Sequence, residues 1–333
     1  MIELTVNSNA TAAISNAFRK ISDMVKTGAI EKDTLVHIVL GKGVYSELLS
    51  YNLPNPLIME AASGIARENC VIKAENCEAF HKDTENRSVF VIGPNATFVT
   101  LKGFTIQNTH VKTLPDEKLG NQAEAICFHN YRGLLTAENM AFLSHQDTIH
   151  VKGFSYFKNC YVEGDVDYIW GYCDTSLFEN CTIHTTKDNR GDCTAFVLQS
   201  RALNRRRGFI FKDCNFTAEK RVSAKIYIAR SAGTGKIDSK DRWDSVALIN
   251  CTVDESYAPE FFTDENGTRE VFPKGSALVG WREYGTKTKK EDGSIVEADT
   301  SCRYPLSYVM SDEEYKMNYE NTETILRDFP KRK

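Results

Sequence analysis

From about residue 35 the chain proceeds in short bursts of Val, Ile, Thr and Phe. Runs at 35–40, 89–92, 97–101 and 104–107 are each bounded by Gly, Asn or Pro. Their length and boundaries fit strands. The stretch before them has a different period. Ala10, Ala13, Ile14, Ala17, Phe18, Ile21 and Val25 recur three or four apart, which predicts a helix over 9–26 with Asn9 as N-cap and Gly28 as its stop. Between 85 and 255 no helical segment of 10–15 residues separates the strand runs, so helix-rich and doubly wound folds are excluded. Residues 258–300 turn polar and carry two hairpin dipeptides, Asn266-Gly267 and Asp292-Gly293, as an insertion would. Ser311 and Glu314 form a capping-box pattern that opens a final helix.

One template recurs among the strands. Phe157-Lys158-Asn159-Cys160-Tyr161-Val162 is followed by Phe178-Glu179-Asn180-Cys181-Thr182-Ile183, then by Phe211-Lys212-Asp213-Cys214-Asn215-Phe216, then by Leu248-Ile249-Asn250-Cys251-Thr252-Val253. The cysteines are 21, 33 and 37 residues apart, a common period with insertions. Such a repeat predicts a parallel β-helix, all-β and a single domain over 1–333. The apolar and Cys positions stack inside. The Asn/Asp position sits at a turn, its side chain satisfying backbone groups.

Composition narrows the function. Charged residues make up 26% and the net charge is −4, so no global basic field invites nucleic acid; Arg205-Arg206-Arg207 reads as a solvated turn. No run approaches the ~20 apolar residues of a membrane span. Ten cysteines without a Cys-x-x-Cys pair give no support to zinc or thioredoxin-like chemistry, and no metal or cofactor is expected. The repeated slot predicts reduced, buried packing cysteines. The N-terminus shows no basic segment followed by an apolar one. A cytoplasmic protein is the expectation, and a secreted one whose signal peptide was removed is the alternative.

The candidate chemistry lies one period apart. Asp147 in Gln146-Asp147-Thr148 precedes Asp167 in Asp167-Tyr168-Ile169-Trp170-Gly171 by twenty residues. On neighbouring turns the two would stand about 4.8 Å apart. They could not ionise independently, so one keeps a proton near neutral pH. Gln122 precedes Gln146 by 24 residues and extends the same face. Two carboxamides beside two carboxylates suit acyl transfer: amide N–H groups stabilise an oxyanion, one carboxylate attacks, and the other protonates the leaving group.

These residues resemble the pectin methylesterase family, carbohydrate esterases on a right-handed, single-stranded parallel β-helix. Gly43-Val44-Tyr45-Ser46-Glu47 resembles the family's Gly-x-Tyr-x-Glu, and Gln122-Ala123-Glu124-Ala125 its Gln-Ala-Val-Ala. Gln146-Asp147-Thr148 matches Gln-Asp-Thr, and Asp167-Tyr168-Ile169-Trp170-Gly171 resembles Asp-Phe-Ile-Phe-Gly. Leu198-Gln199-Ser200-Arg201 resembles Ala-Gln-Gly-Arg, and Ile228-Ala229-Arg230 the start of Leu-Gly-Arg-Pro-Trp. The resemblance implies that Asp167 is the nucleophile and Asp147 the general acid and then base. It implies an oxyanion site from Gln122 and Gln146, with Arg230 orienting Asp167. Trp170, Tyr168, His145, His150 and Arg201 would bind a methylated galacturonate chain.

The chain also departs from the pattern. Ser231-Ala232 replaces Pro-Trp, Ser144-His145 stands where Gly and an aromatic are usual, and His150 replaces a tyrosine. These changes bear on subsite preference and open the way to another acyl sugar. A polygalacturonase is disfavoured by the absence of an Asp-Asp pair and a Gly-His-Gly run. A serine esterase built on Ser231 lacks a later histidine, His184 being the last. A non-catalytic carbohydrate-binding β-helix would not need acids paired in register.

Overall fold

The computed structural model describes residues 1–112, 120–187, 191–233 and 243–332. Its strands form sheets of eleven, ten and eight members. One coil shows how. Gly153–Lys158 lies in the eleven-stranded sheet, Tyr161–Gly164 in the ten-stranded and Val166–Trp170 in the eight-stranded one. The next strand, Cys173–Glu179, re-enters the first sheet parallel to Gly153–Lys158. This is the expected parallel β-helix, and its core is the column enclosed by the three sheets.

The repeated template explains why successive coils stay in register. Phe157, Phe178 and Phe211 are fully buried and stack face to face, with centroids 4.5 and 4.8 Å apart. That is the strand spacing itself, so identical rings meet at van der Waals distance. The Cys181, Cys214 and Cys251 thiols each reach the carbonyl of the preceding coil's phenylalanine, Phe157, Phe178 and Phe211, at 3.3–3.4 Å. All ten cysteines are free thiols and eight are buried. The Asn/Asp slot sits at a turn, as expected, but its side-chain partner differs from expectation. Asn159, Asn180, Asp213 and Asn250 have φ of 55°, 52°, 55° and 51°, a left-handed turn that short polar side chains tolerate. The Asn180 amide donates to the Asn159 side chain of the neighbouring coil (2.7 Å) rather than to backbone.

Helix α1 (Ala13–Lys26) closes one end, burying Ile14, Phe18 and Ile21, with Phe18 edge-on to Tyr51 at 5.0 Å. It begins at Ala13, and Asn9 does not cap it. Glu47 does so from 33 residues away, accepting from the Ile14 and Ser15 amides (3.0 and 2.9 Å) and the Ser15 hydroxyl (2.7 Å). A carboxylate there meets orphan N–H groups and the positive end of the helix dipole. The Gly-x-Tyr-x-Glu motif is thus a cap; its Tyr45 hydroxyl ties down the Val6 and Gly41 carbonyls, both at 2.9 Å.

At the other end the Ser311/Glu314 capping box opens α2 (Asp312–Asn318), and Asn321 caps a second short helix, α3 (Thr322–Leu326), that the pattern did not announce. Tyr319, Ile325 and Phe329 pack on Leu177, Ile210, Ala247 and Ile249, the face of the eleven-stranded sheet opposite the core. Within 258–300, Phe262–Thr263, Trp281–Tyr284 and Lys287–Lys289 each extend one of the three sheets. Lys287–Lys289 and Ile295–Glu297 form an antiparallel hairpin around Asp292-Gly293. No helix among the described residues is long and apolar enough to cross a membrane.

Candidate active site

The acidic motifs lie on the eight-stranded sheet. Gln146 pairs with Val166 across neighbouring coils, and the Asp147 amide donates to the Val166 carbonyl (3.1 Å). Asp147 and Asp167 therefore stand side by side, as their spacing requires. Both have left-handed backbones, with φ of 64° and 49°, and the register of Val166–Trp170 with its next neighbour shifts between Val166 and Ile169. A residue in such a bulge is re-aimed out of the pleat. Gly171 closes the motif because a Cβ there would come within 1.9 Å of the Val151 carbonyl oxygen. The Ala123 amide donates to the Gln146 carbonyl (3.2 Å), which sets Gln122 and Gln146 on adjacent coils.

The two aspartates have different surroundings. Arg230 forks onto Asp167, Nε to Oδ1 at 2.8 Å and Nη2 to Oδ2, a geometry that fixes both oxygens of the anion. Glu265 accepts from the same guanidinium and also from Arg269 (2.8 Å). Asp147 is met by Arg87 instead, Nη2 to Oδ2 at 2.8 Å. Arg87 is not Asp147's alone: its Nε contacts both oxygens of Glu124 at 2.9 Å and its Nη1 contacts Glu78 at 3.1 Å. One guanidinium serves three carboxylates. Burial raises the Asp147 carboxyl well above the usual range, the Glu124 charge adds to this, Arg87 opposes it and Asp167 raises it further. Glu124, with no exposed surface, is pushed up to about 7 by burial, with Arg87 opposing. Lys112, fully buried, holds Asp165 beside this group at 2.7 Å.

The remaining expected residues fall in several places. Trp170 stacks on His150 (3.9 Å, 10° between planes), and the Arg87 guanidinium lies 5.8 Å from the Trp170 ring. His150 is buried, 3.4 Å from the Cys127 sulfur, and burial holds it well below its ordinary value, a neutral imidazole under the indole. Arg201 donates to the Tyr172 hydroxyl (3.0 Å). His145 is half-buried, and its carbonyl accepts from the Asp165 amide (2.6 Å). Tyr168 corrects the expectation of a sugar contact: it is fully buried in the core, its hydroxyl bonded to Thr185 (3.0 Å). In this strand the residue after the bulged aspartate points inward.

Four contributors escaped the sequence reading. Arg87 has no motif of its own. Glu124 was visible as the acid standing where the family pattern has Val. Phe196 and Tyr227 form a half-buried stacked pair (5.9 Å, 12°) in one row with Gln146 and Val166, with Arg230 4.5 Å above the Phe196 ring. Ser231 is fully buried, and its hydroxyl lies within hydrogen-bond distance of the Asp244 carboxylate (2.8 Å) and the Glu270 carbonyl (2.9 Å). It therefore has the contacts of a structural hydroxyl and none of an esterase nucleophile. Among the described residues no group of three or more His, Cys, Asp or Glu is arranged to hold a metal.

Known proteins share this arrangement of strands. The pectinesterase family profile matches residues 7–262. Pectinesterase 11 of Arabidopsis thaliana is 26% identical over 303 residues, covering 82% of this chain and 74% of its own. A pectin methylesterase solved in complex with a hexasaccharide superposes with a TM-score of 0.71 at 17% identity, covering 99% of this chain and 98% of that one. The Erwinia chrysanthemi pectin methylesterase PemA gives 0.70 at 18% identity, covering 98% and 97%. With the profile spanning most of its length, this chain belongs to the pectinesterase family.

Proposed function

We propose that the protein is a carboxylic ester hydrolase that removes methyl esters from galacturonate chains and releases methanol. The observation that carries the reading is the pair of side-by-side aspartates with unlike cation environments, Asp167 in the Arg230 fork and Asp147 buried on a shared guanidinium. Asp167 attacks the ester carbonyl carbon, and the carbonyl oxygen becomes an oxyanion within reach of the Gln122 and Gln146 amides. Collapse breaks the bond to methoxide, which takes the Asp147 proton and leaves as methanol. Asp147, now a carboxylate, accepts a proton from water as that water attacks the acyl-enzyme. The free acid departs, and Asp167 returns to its anion with Asp147 reprotonated. Each proton is balanced within the pair.

The substrate reading is supported by the pectin methylesterase likeness and by the hexasaccharide bound to one such structure. The half-buried Phe196–Tyr227 pair offers sugar rings a stacking surface, and Trp170 and Arg201 flank the acids. Ser231-Ala232 gives the chain no aromatic where the family pattern has Pro-Trp. That favours short, partly methylated chains over long polymers. Free, mostly buried thiols favour work in a reducing compartment. Methanol release from methylated trimers, hexamers and intact pectin tests the reading. We expect turnover that is lost in Asp167→Asn and kcat/KM per ester highest on the short chains. Undiminished turnover in Asp167→Asn would refute the covalent route.

A further inference from the structure

The geometry points to Glu124 as a positioning residue that, through Arg87, decides whether Asp147 carries its proton. This rests on the assignment of Asp147 as the general acid.

Arg87 faces Asp147 with one donor, Nη2; its Nε is taken by both oxygens of Glu124 and its Nη1 by Glu78. A guanidinium carries one positive charge, so it cannot neutralise Glu124 and Asp147 together in a site from which water is nearly excluded, and the part-exposed Glu78 draws on it as well. Arg87 is 5% exposed, Glu124 0% and Asp147 7%. The other charges facing Asp147 do not close the deficit. Asp167 adds a further negative charge from the next coil and is itself held by Arg230, while Lys112 is committed to Asp165. An acid in such surroundings keeps its proton. The bond to Arg87 engages only Oδ2, which leaves Oδ1 to carry that proton toward a departing alkoxide.

Glu124 is the residue that keeps the arrangement short of positive charge. If it were neutral, Arg87 would be shared by two acids rather than three, and the Asp147 anion would be better matched. Glu124 is also pushed up to about 7, so it takes up its own proton near neutrality and the two acids titrate as one system. Glu124 touches no substrate position; it acts on Asp147 across the guanidinium.

The test is the pH profile of kcat/KM for Glu124→Gln on methylated oligogalacturonate, alongside a carbon-13 titration of the Asp147 carboxyl in the same protein, assigned by its loss in Asp147→Asn. Removing the charge should move the alkaline limb toward lower pH by about one unit, with the carboxyl titration moving the same way. Turnover on that limb should fall about tenfold. Glu124→Val, which also removes the hydrogen bond, should move both readouts in the same direction and serves if the Gln variant does not fold. Superimposable profiles and titrations in wild type and variants would overturn the proposal, whatever happens to kcat. The carboxyl titration needs no turnover. A wild type inactive on the ester therefore sinks the esterase reading, and the titration still decides the coupling.

Discussion

The phenylalanine–cysteine column and the acidic face are built from the same coils and obey opposite rules. In the column, like stacks on like: Phe157, Phe178 and Phe211 lie ring on ring, and the thiols follow one below another. Each added copy buries more apolar surface against the last, so repetition is self-reinforcing. On the acidic face, stacking like on like sets Asp147 beside Asp167 and near Glu124, which physics opposes. Every acid there needs a cation, and the cations come from outside the acidic motifs: Arg230 from a later motif, and Arg87 and Lys112 from none. A repeat that costs free energy to assemble and is kept nonetheless marks the working surface.

The largest effect should come from emptying that surface. Asp167→Asn and Asp147→Asn are each expected to lower kcat by about 10⁴-fold, since one removes the nucleophile and the other the proton donor. Gln146→Ala should cost about 10²–10³. Assays of methanol release check all three, and thermal melts should show that the loss is not unfolding. If the two Asn variants retained most of their turnover, the acids would be a structural stack like the column.

The column should answer the other way. Phe178 sits between two aromatic neighbours with no exposed surface, so Phe178→Ala should destabilise by about 3–5 kcal/mol, the cost of lost burial plus a cavity. Denaturant melts measure it. Turnover per folded molecule should stay near wild type, because the ring faces the core and not the acids.

The same contrast explains what the sequence made legible. The column could be read because its residues repeat at a visible period and each slot's partner is its own copy. The in-register aspartates could be read for the same reason. Arg87 could not: it reaches Asp147 across 60 residues and belongs to no repeat. Glu124 was quoted within its motif, but its meaning depends on Arg87. Helix α1 was read from its period, yet its start was misplaced because the cap, Glu47, comes from a loop 33 residues further along the chain. Tyr168 was misread because the bulge at Asp167 reverses the alternation on which a facing assignment relies.

The smallest expected effect separates the two regions by pH. Glu124 has a folded value of about 7 and Asp244, buried on Ser200 and Ser231, about 6, both above their ordinary carboxyl range and both raised chiefly by burial. A carboxyl whose folded value is raised stabilises the fold when protonated. That contribution is complete below the unfolded value and is lost as pH rises through the folded one. Buried neutral His150 has the opposite sign, its contribution fading as pH falls below the unfolded histidine range. Between pH 5 and 7.5 the carboxyl contribution should therefore decline on the alkaline side, as far as His150 does not mask it. Glu124→Gln removes one titration and leaves His150 in place, so its Tm should fall less than the wild type's over that interval. The Phe178→Ala deficit should keep nearly the same size across that interval, because the ring it removes carries no titratable group. Parallel melting curves for wild type and Glu124→Gln across the interval would mean that the buried glutamate keeps one protonation state throughout, and the contrast between the phenylalanine stack and a titrating face would have to rest on Asp147 and Asp244 instead.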